Sequence, residues 1–358
     1  MRTAYDRVHY PTAPQGFAYP ARLGALAQLC GAPAPRARSY NALEIGCGDG
    51  VHLIASALEA PESAFFGFDL AATAIASATS LAREAGIANV AFAQRDILDH
   101  GLAPRSFDYV VAHGVYAWTP PKVADGVLAL IGEVLTDDGV AVVSYNVMPG
   151  CALRLRLREA MLPAAASDSD PRRRIEAARA VLARIATEKR DAELAGEAET
   201  LLAKDPAILF HDDLGEIYAP VGVGAFSAAA AAHGLDHLCD CESATLAAAL
   251  SSDGPRTQAD WLEQEAARDA HEGTRFRRSV LVRAGGERDR RLVPTRLAGL
   301  YACATLTRES ERVWRAEAGG RLATDDGVVA SFLDALAARG AQGLPLDILE
   351  GRFDDRTD

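Results

Sequence analysis

One short stretch constrains this chain more than any other: Ala42-Leu43-Glu44-Ile45-Gly46-Cys47-Gly48-Asp49-Gly50. An apolar strand end leads into it, and Val51-His52-Leu53-Ile54-Ala55 opens a helical pattern after it. A strand-to-helix turn with glycine at every second position lets a ligand approach the backbone where a Cβ would stand in the way. Turns of this kind can hold a pyrophosphate over the helix N-terminus. Here Glu44 and Asp49 place carboxylates beside the turn. They would repel the pyrophosphate of NAD and favour a ligand with a cationic end. A plain tight turn is the alternative for the glycines taken alone.

The following strands strengthen the ligand reading. Phe65-Phe66-Gly67-Phe68-Asp69-Leu70 reads as a second strand whose acid, Asp69, comes nineteen residues after Gly50. An acid about twenty residues past a glycine turn is placed to accept the ribose hydroxyls of an adenosine. Asn89 to Ile97 forms a third strand ending at Asp96 and Ile97, Phe107 to Gly114 a fourth, and Gly139 to Asn146 a fifth. Apolar strands alternating with helices predict an α/β fold with a parallel sheet covered on both faces. Ligands of such sheets sit beyond the C-terminal strand ends, so Glu44, Asp69 and Asp96 converge on one cleft. An adenosine bearing an ammonium and a sulfonium, S-adenosyl-L-methionine, suits that charge arrangement. For each acid by itself, a solvated strand-end carboxylate is the plain alternative.

With these motifs the chain resembles the class I S-adenosylmethionine-dependent methyltransferases, and the resemblance continues outside the glycine turn. It includes Tyr5-Asp6-x-x-x-Tyr10-Pro11, His113-Gly114-Val115-Tyr116-Ala117-Trp118 and Ser144-Tyr145-Asn146-x-x-Pro149-Gly150. It resumes at Phe210-His211-Asp212-Asp213-Leu214 and at Phe276-Arg277-Arg278-Ser279-Val280-Leu281. Together these are similar to the bacterial group that carries a methyltransferase regulatory domain, which includes rickettsial protein-lysine methyltransferases. One departure is visible: that group has an aromatic after Pro149-Gly150, where this chain has Cys151. The resemblance implies a Rossmann-like class I methyltransferase sheet with a mainly helical C-terminal regulatory region. It also makes Tyr5 a cofactor-site candidate.

The predicted organisation has a cap over residues 1–38, a cofactor domain over 39–150 and a helical regulatory region over 151–285. Segments 235–241 and 279–283 read as strands that could return to the core sheet. Asp170-Pro171 is an N-cap with proline at the first helical position, opening one long amphipathic helix to about residue 203. Residues 286–358 read as a small helical, winged-helix-like unit without a basic recognition helix. A net charge of −12, from 37 basic and 49 acidic side chains, argues against a nucleic-acid partner. The six cysteines show no Cys-x-x-Cys spacing, so no metal site is indicated. No apolar run approaches a membrane span and no leader pattern opens the chain, so a cytoplasmic location, with a possible homodimer, is the expectation.

Methyl transfer from a sulfonium needs alignment and an electrostatic setting more than a strong catalyst. The predicted cofactor contacts are Glu44 with the ammonium, Gly46 and Gly48 along the turn, Asp69 and Leu70 at the ribose, Asp96 and Ile97 at the adenine, and His113. Tyr116, Trp118, Tyr145 and Asn146 lie at the ends of the fourth and fifth strands, where an acceptor would sit. Core packing with a satisfied polar tip is the alternative for each aromatic. Three functions compete: transfer to an amino group, foremost of protein lysine with a protein or peptide partner; transfer to a small metabolite or modified peptide; and a catalytically silent, cofactor-binding regulator.

Overall fold

The computed structural model describes residues 4–35, 39–241, 257–285, 293–317 and 319–349. Its centre is a seven-stranded sheet made of β1 (Asn41–Ile45), β2 (Ala64–Asp69), β3 (Val90–Gln94), β4 (Phe107–Ala112), β5 (Leu135–Asn146), β6 (Leu235–Asp240) and β7 (Phe276–Arg283). The spatial order is β3-β2-β1-β4-β5-β7-β6. Strands β1 to β5 pair in parallel, and β7 runs antiparallel between β5 and β6. The two late segments thus complete the sheet that carries the glycine turn.

Helices cover both faces: α1 (Pro20–Leu29), α2 (Val51–Glu59), α3 (Ala72–Glu84) and α4 (Pro121–Val134) alternate with the early strands. Period-two alternation sorts the central strands onto two cores. Leu43, Ile45, Val110, Ala112, Ala141, Val143 and Tyr145 join Leu128, Ile131 and Phe226 on one side. Ala42, Tyr109, Val111, Val140, Val142, Val280 and Val282 join Leu23 and Leu53 on the other. Apolar residues at consecutive positions therefore report a strand buried on both faces.

Between β5 and β6 the chain makes α5 (Ala152–Ala165), α6 (Pro171–Glu188), α7 (Ala192–Leu202), a π-helical turn at Leu209–Asp213 and α8 (Val223–Ala232). Asp170 caps α6 by accepting from the Arg172 backbone N–H at 3.1 Å. The single helix predicted to about residue 203 is two helices: Lys189 turns left-handed (φ 48°) and Asp191 caps a new start by accepting from the Leu194 N–H. Apolar spacing carried across the break hides it from a periodicity reading.

α9 (Gln258–Glu272) buttresses β7 through Arg277, which is 2% exposed. Its guanidinium donates to both oxygens of Asp269, with bonds of 2.8 and 2.9 Å, and to Glu265 at 2.8 Å, and it pairs with Asp240. The arginine-rich motif at 276–278 thus supplies an internal clamp.

The chain divides into Met1–Arg291 and Leu292–Asp358. The second unit packs α10 (Gly327–Arg339) and a three-stranded antiparallel sheet (Leu306–Ser310, Val313–Ala316, Arg321–Ala323) around fully buried Trp314. The expected helix is present, but strands accompany it. They are short and rich in arginine, so they give little apolar alternation to read.

Candidate active site

The glycine turn leaves β1 with three left-handed residues: Gly46 at φ 69°, Gly48 at 55° and Gly50 at 72°. At Gly46 a Cβ would come within 2.6 Å of the Val115 side chain, and at Gly50 within 2.5 Å of the Phe92 ring. Both conformation and space therefore demand glycine there. Asp69, at the end of β2, fixes the turn from the neighbouring strand. Its carboxylate accepts from the Gly48 N–H at 3.0 Å and from the Ala71 N–H at 2.8 Å. Burial raises its pKa against the lowering by those hydrogen bonds.

Glu44 sits beneath the turn, 6% exposed. Its Oε2 has no hydrogen-bond partner among the described residues. Burial, then the charges of Asp49 and Asp69, push its pKa up to about 8. A buried, partnerless carboxyl beside two further acids is a costly arrangement that a cationic ligand relieves.

The N-terminal segment closes over the turn. Thr12 donates to Asp49 at 2.5 Å, and Asp6 accepts from the Thr73 hydroxyl at the start of α3, also at 2.5 Å. From the helical region, His211 bonds the Val8 carbonyl through Nε2 at 2.8 Å, and Asp212 accepts from the Tyr10 hydroxyl at 3.3 Å. Tyr5 stacks on His211 with ring centroids 4.3 Å apart. Although Tyr5 is 45% exposed as a whole, desolvation of its hydroxyl end, then the charges of Asp212 and Asp69, raise that hydroxyl's pKa. The Phe-His-Asp-Asp stretch thus holds the cap at Tyr5 to Tyr10.

At the ends of β4 and β5, alternation decides which side chains share a pocket. His113 and Ser144 face one another, Nδ1 to Oγ at 2.8 Å, and Ser144 Oγ also accepts from the Gly114 N–H at 2.9 Å. Burial, then Arg278, hold the His113 imidazole down to about 4, so it is neutral at neutral pH. Asn146 follows Ser144 by two and shares its side of the sheet. It is 2% exposed, and its Oδ1 has no partner among the described residues. Tyr145 points the other way, with its ring 4.1 Å from Phe226 and its hydroxyl 3.0 Å from Ser279 Oγ. Tyr116 packs edge-on to the same Phe226 at 5.2 Å.

The structure therefore brings Asn146 to the His113 side and places Tyr116 and Tyr145 in the core around Phe226, while Trp118 packs against that core and also neighbours Phe276. Phe276 of β7 lies 6.1 Å from His113 and 6.4 Å from Trp118. Tyr218, from the irregular segment before α8, adds a ring 6.3 Å from Trp118. Neither Phe276 nor Tyr218 was among the predicted acceptor residues; the Phe276 motif was visible, whereas Tyr218 lies in a stretch without periodicity.

Cys151 is buried nearby and donates to the Arg275 carbonyl at 3.1 Å. Gly150 is required beside it, because a Cβ there would lie 2.1 Å from the Thr274 carbonyl oxygen. At the far side of the cleft, exposed Asp96 accepts from the Leu98 N–H at 2.9 Å. Ile97 is half-buried, and Leu70 is an exposed apolar residue next to Asp69.

A family model for a methyltransferase domain matches residues 37–199, and one for a predicted methyltransferase regulatory domain matches residues 205–283. PKMT2 from Rickettsia typhi, solved in complex with AdoHcy, superimposes with a TM-score of 0.79 at 26% identity, over 95% of this chain and 70% of that one. The chain belongs to the class I S-adenosylmethionine-dependent methyltransferases.

Two uncharacterized proteins of Rickettsia prowazekii are also similar to this methyltransferase. One is 32% identical over 68% of this chain, which covers 45% of that protein; the other is 35% identical over 45% of this chain and 64% of its own length. The chain thus spans only part of the curated relatives it matches. S-Adenosylmethionine is the cofactor of this family, and the cleft fits it. The buried Glu44 Oε2 lacks a cation, Gly46 and Gly48 leave room along the turn, and Asp69 presents a carboxylate beyond β2. Among the described residues no cluster of His, Cys, Asp or Glu is arranged to hold a metal, and no helix is long and apolar enough to cross a membrane.

Proposed function

We propose that this methyltransferase transfers a methyl group to an amino nitrogen, that of a lysine side chain in a protein or peptide. One observation carries the reading: the buried, partnerless Oδ1 of Asn146, a residue paired in register with Phe276, whose ring lies 6.4 Å from that of Trp118. A neutral amide oxygen in an apolar wall accepts an N–H and offers no charge to hold an ammonium. The likeness to PKMT2 and the match to the regulatory domain support the same reading.

S-Adenosylmethionine, when bound, would supply an activated methyl group for the amine lone pair, with its thioether as the leaving group. The remaining work falls to the chain. Glu44 holds the ammonium end of the cofactor, Gly46 and Gly48 let the backbone lie against it, and Asp69 holds the ribose hydroxyls. Tyr5, Leu70, Asp96, Ile97 and His113 complete the cofactor walls. The acceptor enters as a neutral amine after giving its proton to water, which a desolvated aromatic slot favours. Asn146 then orients it, and the product ammonium releases a second proton to solvent.

The test is incubation of the full chain with methyl-labelled S-adenosylmethionine and a cell lysate separated by size. Label on lysine of macromolecules is the expected result. Label confined to small molecules would replace the acceptor with a metabolite, and no label at all would leave a cofactor-binding regulator.

A further inference from the structure

Tyr218 combines features that the cofactor cleft does not use. It is 8% exposed, its hydroxyl has only the weak thiol of Cys151 as a polar neighbour among the described residues, and it comes from the segment matched by the regulatory domain. The segment is tied across the ends of β4 and β5. The Ala219 N–H donates to the Ala117 carbonyl at 2.8 Å, and the Val221 N–H to the Asn146 carbonyl at 3.0 Å. Tyr218 is thereby held beside Trp118, with ring centroids 6.3 Å apart, and next to Cys151, the thiol that Asn146 also reaches. Two guanidiniums from α5 lie over its ring, Arg154 at 4.9 Å and Arg158 at 5.2 Å from the centroid. These arginines are anchored in turn: Arg154 pairs with Asp213 at 2.5 Å, and Arg158 donates to the Asp213 and Gly215 carbonyls at 2.6 and 2.9 Å. The ring therefore has little freedom to turn away.

A buried hydroxyl left with only a thiol beside it keeps its oxygen lone pairs unused, and a buried amide oxygen without a partner costs free energy. Both occur around Cys151, whose thiol neighbours the Tyr218 hydroxyl and receives Asn146 Nδ2 at 3.8 Å, with Asn146 Oδ1 as the second. A neutral primary amine has two N–H donors and one lone pair. Two acceptors fixed on rigid supports would take one N–H each and leave the lone pair with a single direction to face. The adjacent guanidiniums add a positive field that disfavours the ammonium form of the same group.

We infer that Tyr218 is a direct contact of the methyl acceptor: its hydroxyl and Asn146 Oδ1 each accept one N–H of the incoming amine. The inference rests on the amino-group reading above and deepens it. It makes the acceptor pocket composite, with one wall from the cofactor domain and one from the regulatory segment.

Calorimetric titration of the full chain, saturated with S-adenosylhomocysteine, provides the test. The titrant is n-butylamine, a lysine side chain without its backbone, at alkaline pH. Saturable binding is expected, weaker by about fivefold or more in Tyr218→Phe, the effect of one lost hydrogen bond. Asn146→Ala should weaken it as well, and Tyr116→Phe should leave it unchanged. Tyr218→Phe keeps the ring under both arginines, so equal thermal stability and equal S-adenosylhomocysteine affinity check that the fold is intact. Butylamine binding that is absent, or equal in wild type and Tyr218→Phe, overturns the inference. The lysate assay separates the two failures. If the wild type labels no lysine, the amino-group reading fails; if it does and Tyr218→Phe labels at the same kcat/KM, only the role of Tyr218 fails.

Discussion

Replacing Glu44 with glutamine separates the cost of the cofactor site from its use. In the free protein Glu44 is 6% exposed and pushed from 4.5 up to about 8, first by burial and then by Asp49 and Asp69. Between those two pH values the folded chain keeps a proton that the unfolded chain has released. Stability therefore falls as pH rises through that window, and the whole cost is present above it. A shift from 4.5 to about 8 corresponds to at most roughly 5 kcal/mol. Water entering the open cleft lowers this toward about 2–3 kcal/mol, since real interiors screen better than dry ones. Glu44→Gln keeps the shape and removes the titration. Thermal unfolding without ligand should then show the variant several degrees more stable than wild type at pH 8.5, with the gap closing near pH 5. Saturating S-adenosylhomocysteine should reverse the order, because the ammonium of the ligand meets a carboxylate only in the wild type. Equal melting of the two proteins at both pH values, or an undiminished ligand affinity in Glu44→Gln, would refute the reasoning.

Asp69→Ala should weaken S-adenosylhomocysteine binding by about 2–3 kcal/mol by calorimetry, the scale of hydrogen bonds to a charged group, and should loosen the turn by freeing the Gly48 N–H. Arg277→Ala should cost about 3–5 kcal/mol in denaturant unfolding, because it strands three buried carboxylates around one vacated position. Tyr145→Phe should lose about 1 kcal/mol of stability with its Ser279 hydrogen bond while the methylation rate per folded molecule stays at the wild-type value; a large fall in rate would return Tyr145 to the acceptor pocket. Gly46→Ala should lower the melting temperature by several degrees, since the new Cβ must displace Val115 at a left-handed position.

The cofactor half of the fold was readable because its signals are local. Glu44, Gly46, Gly48 and Asp69 follow one another through strand, turn and strand, and each apolar run ends where the cleft begins. The acceptor side was harder because it depends on direction. Ser144, Tyr145 and Asn146 are neighbours in sequence, yet alternation sends Tyr145 to Phe226 and Asn146 to the cleft. Applying the period of two to that strand would have separated them. Tyr218 carried no such cue, because its place is fixed by two backbone hydrogen bonds from its neighbours Ala219 and Val221 to residues about a hundred and about seventy-five positions earlier. The break at Lys189 was visible only as a capping aspartate, a weaker signal than the apolar spacing that runs across it.

The insertion of β7 between β5 and β6 has a consequence for biosynthesis. β5 is made early, and its partner on that side is Phe276–Arg283. At cellular elongation rates the stretch from Asn146 to Phe276 takes on the order of ten seconds to emerge. Throughout that interval the nascent chain presents a row of unpaired amides and carbonyls flanked by Val140, Val142 and Val143, an edge open to other strands. The helices made in between can settle on one another through Leu157, Met161, Leu182 and Leu201 while they wait. Ribosomal stalling or truncation before β7 would leave that edge uncovered, and aggregation of such fragments in the cell is the outcome this topology sets up.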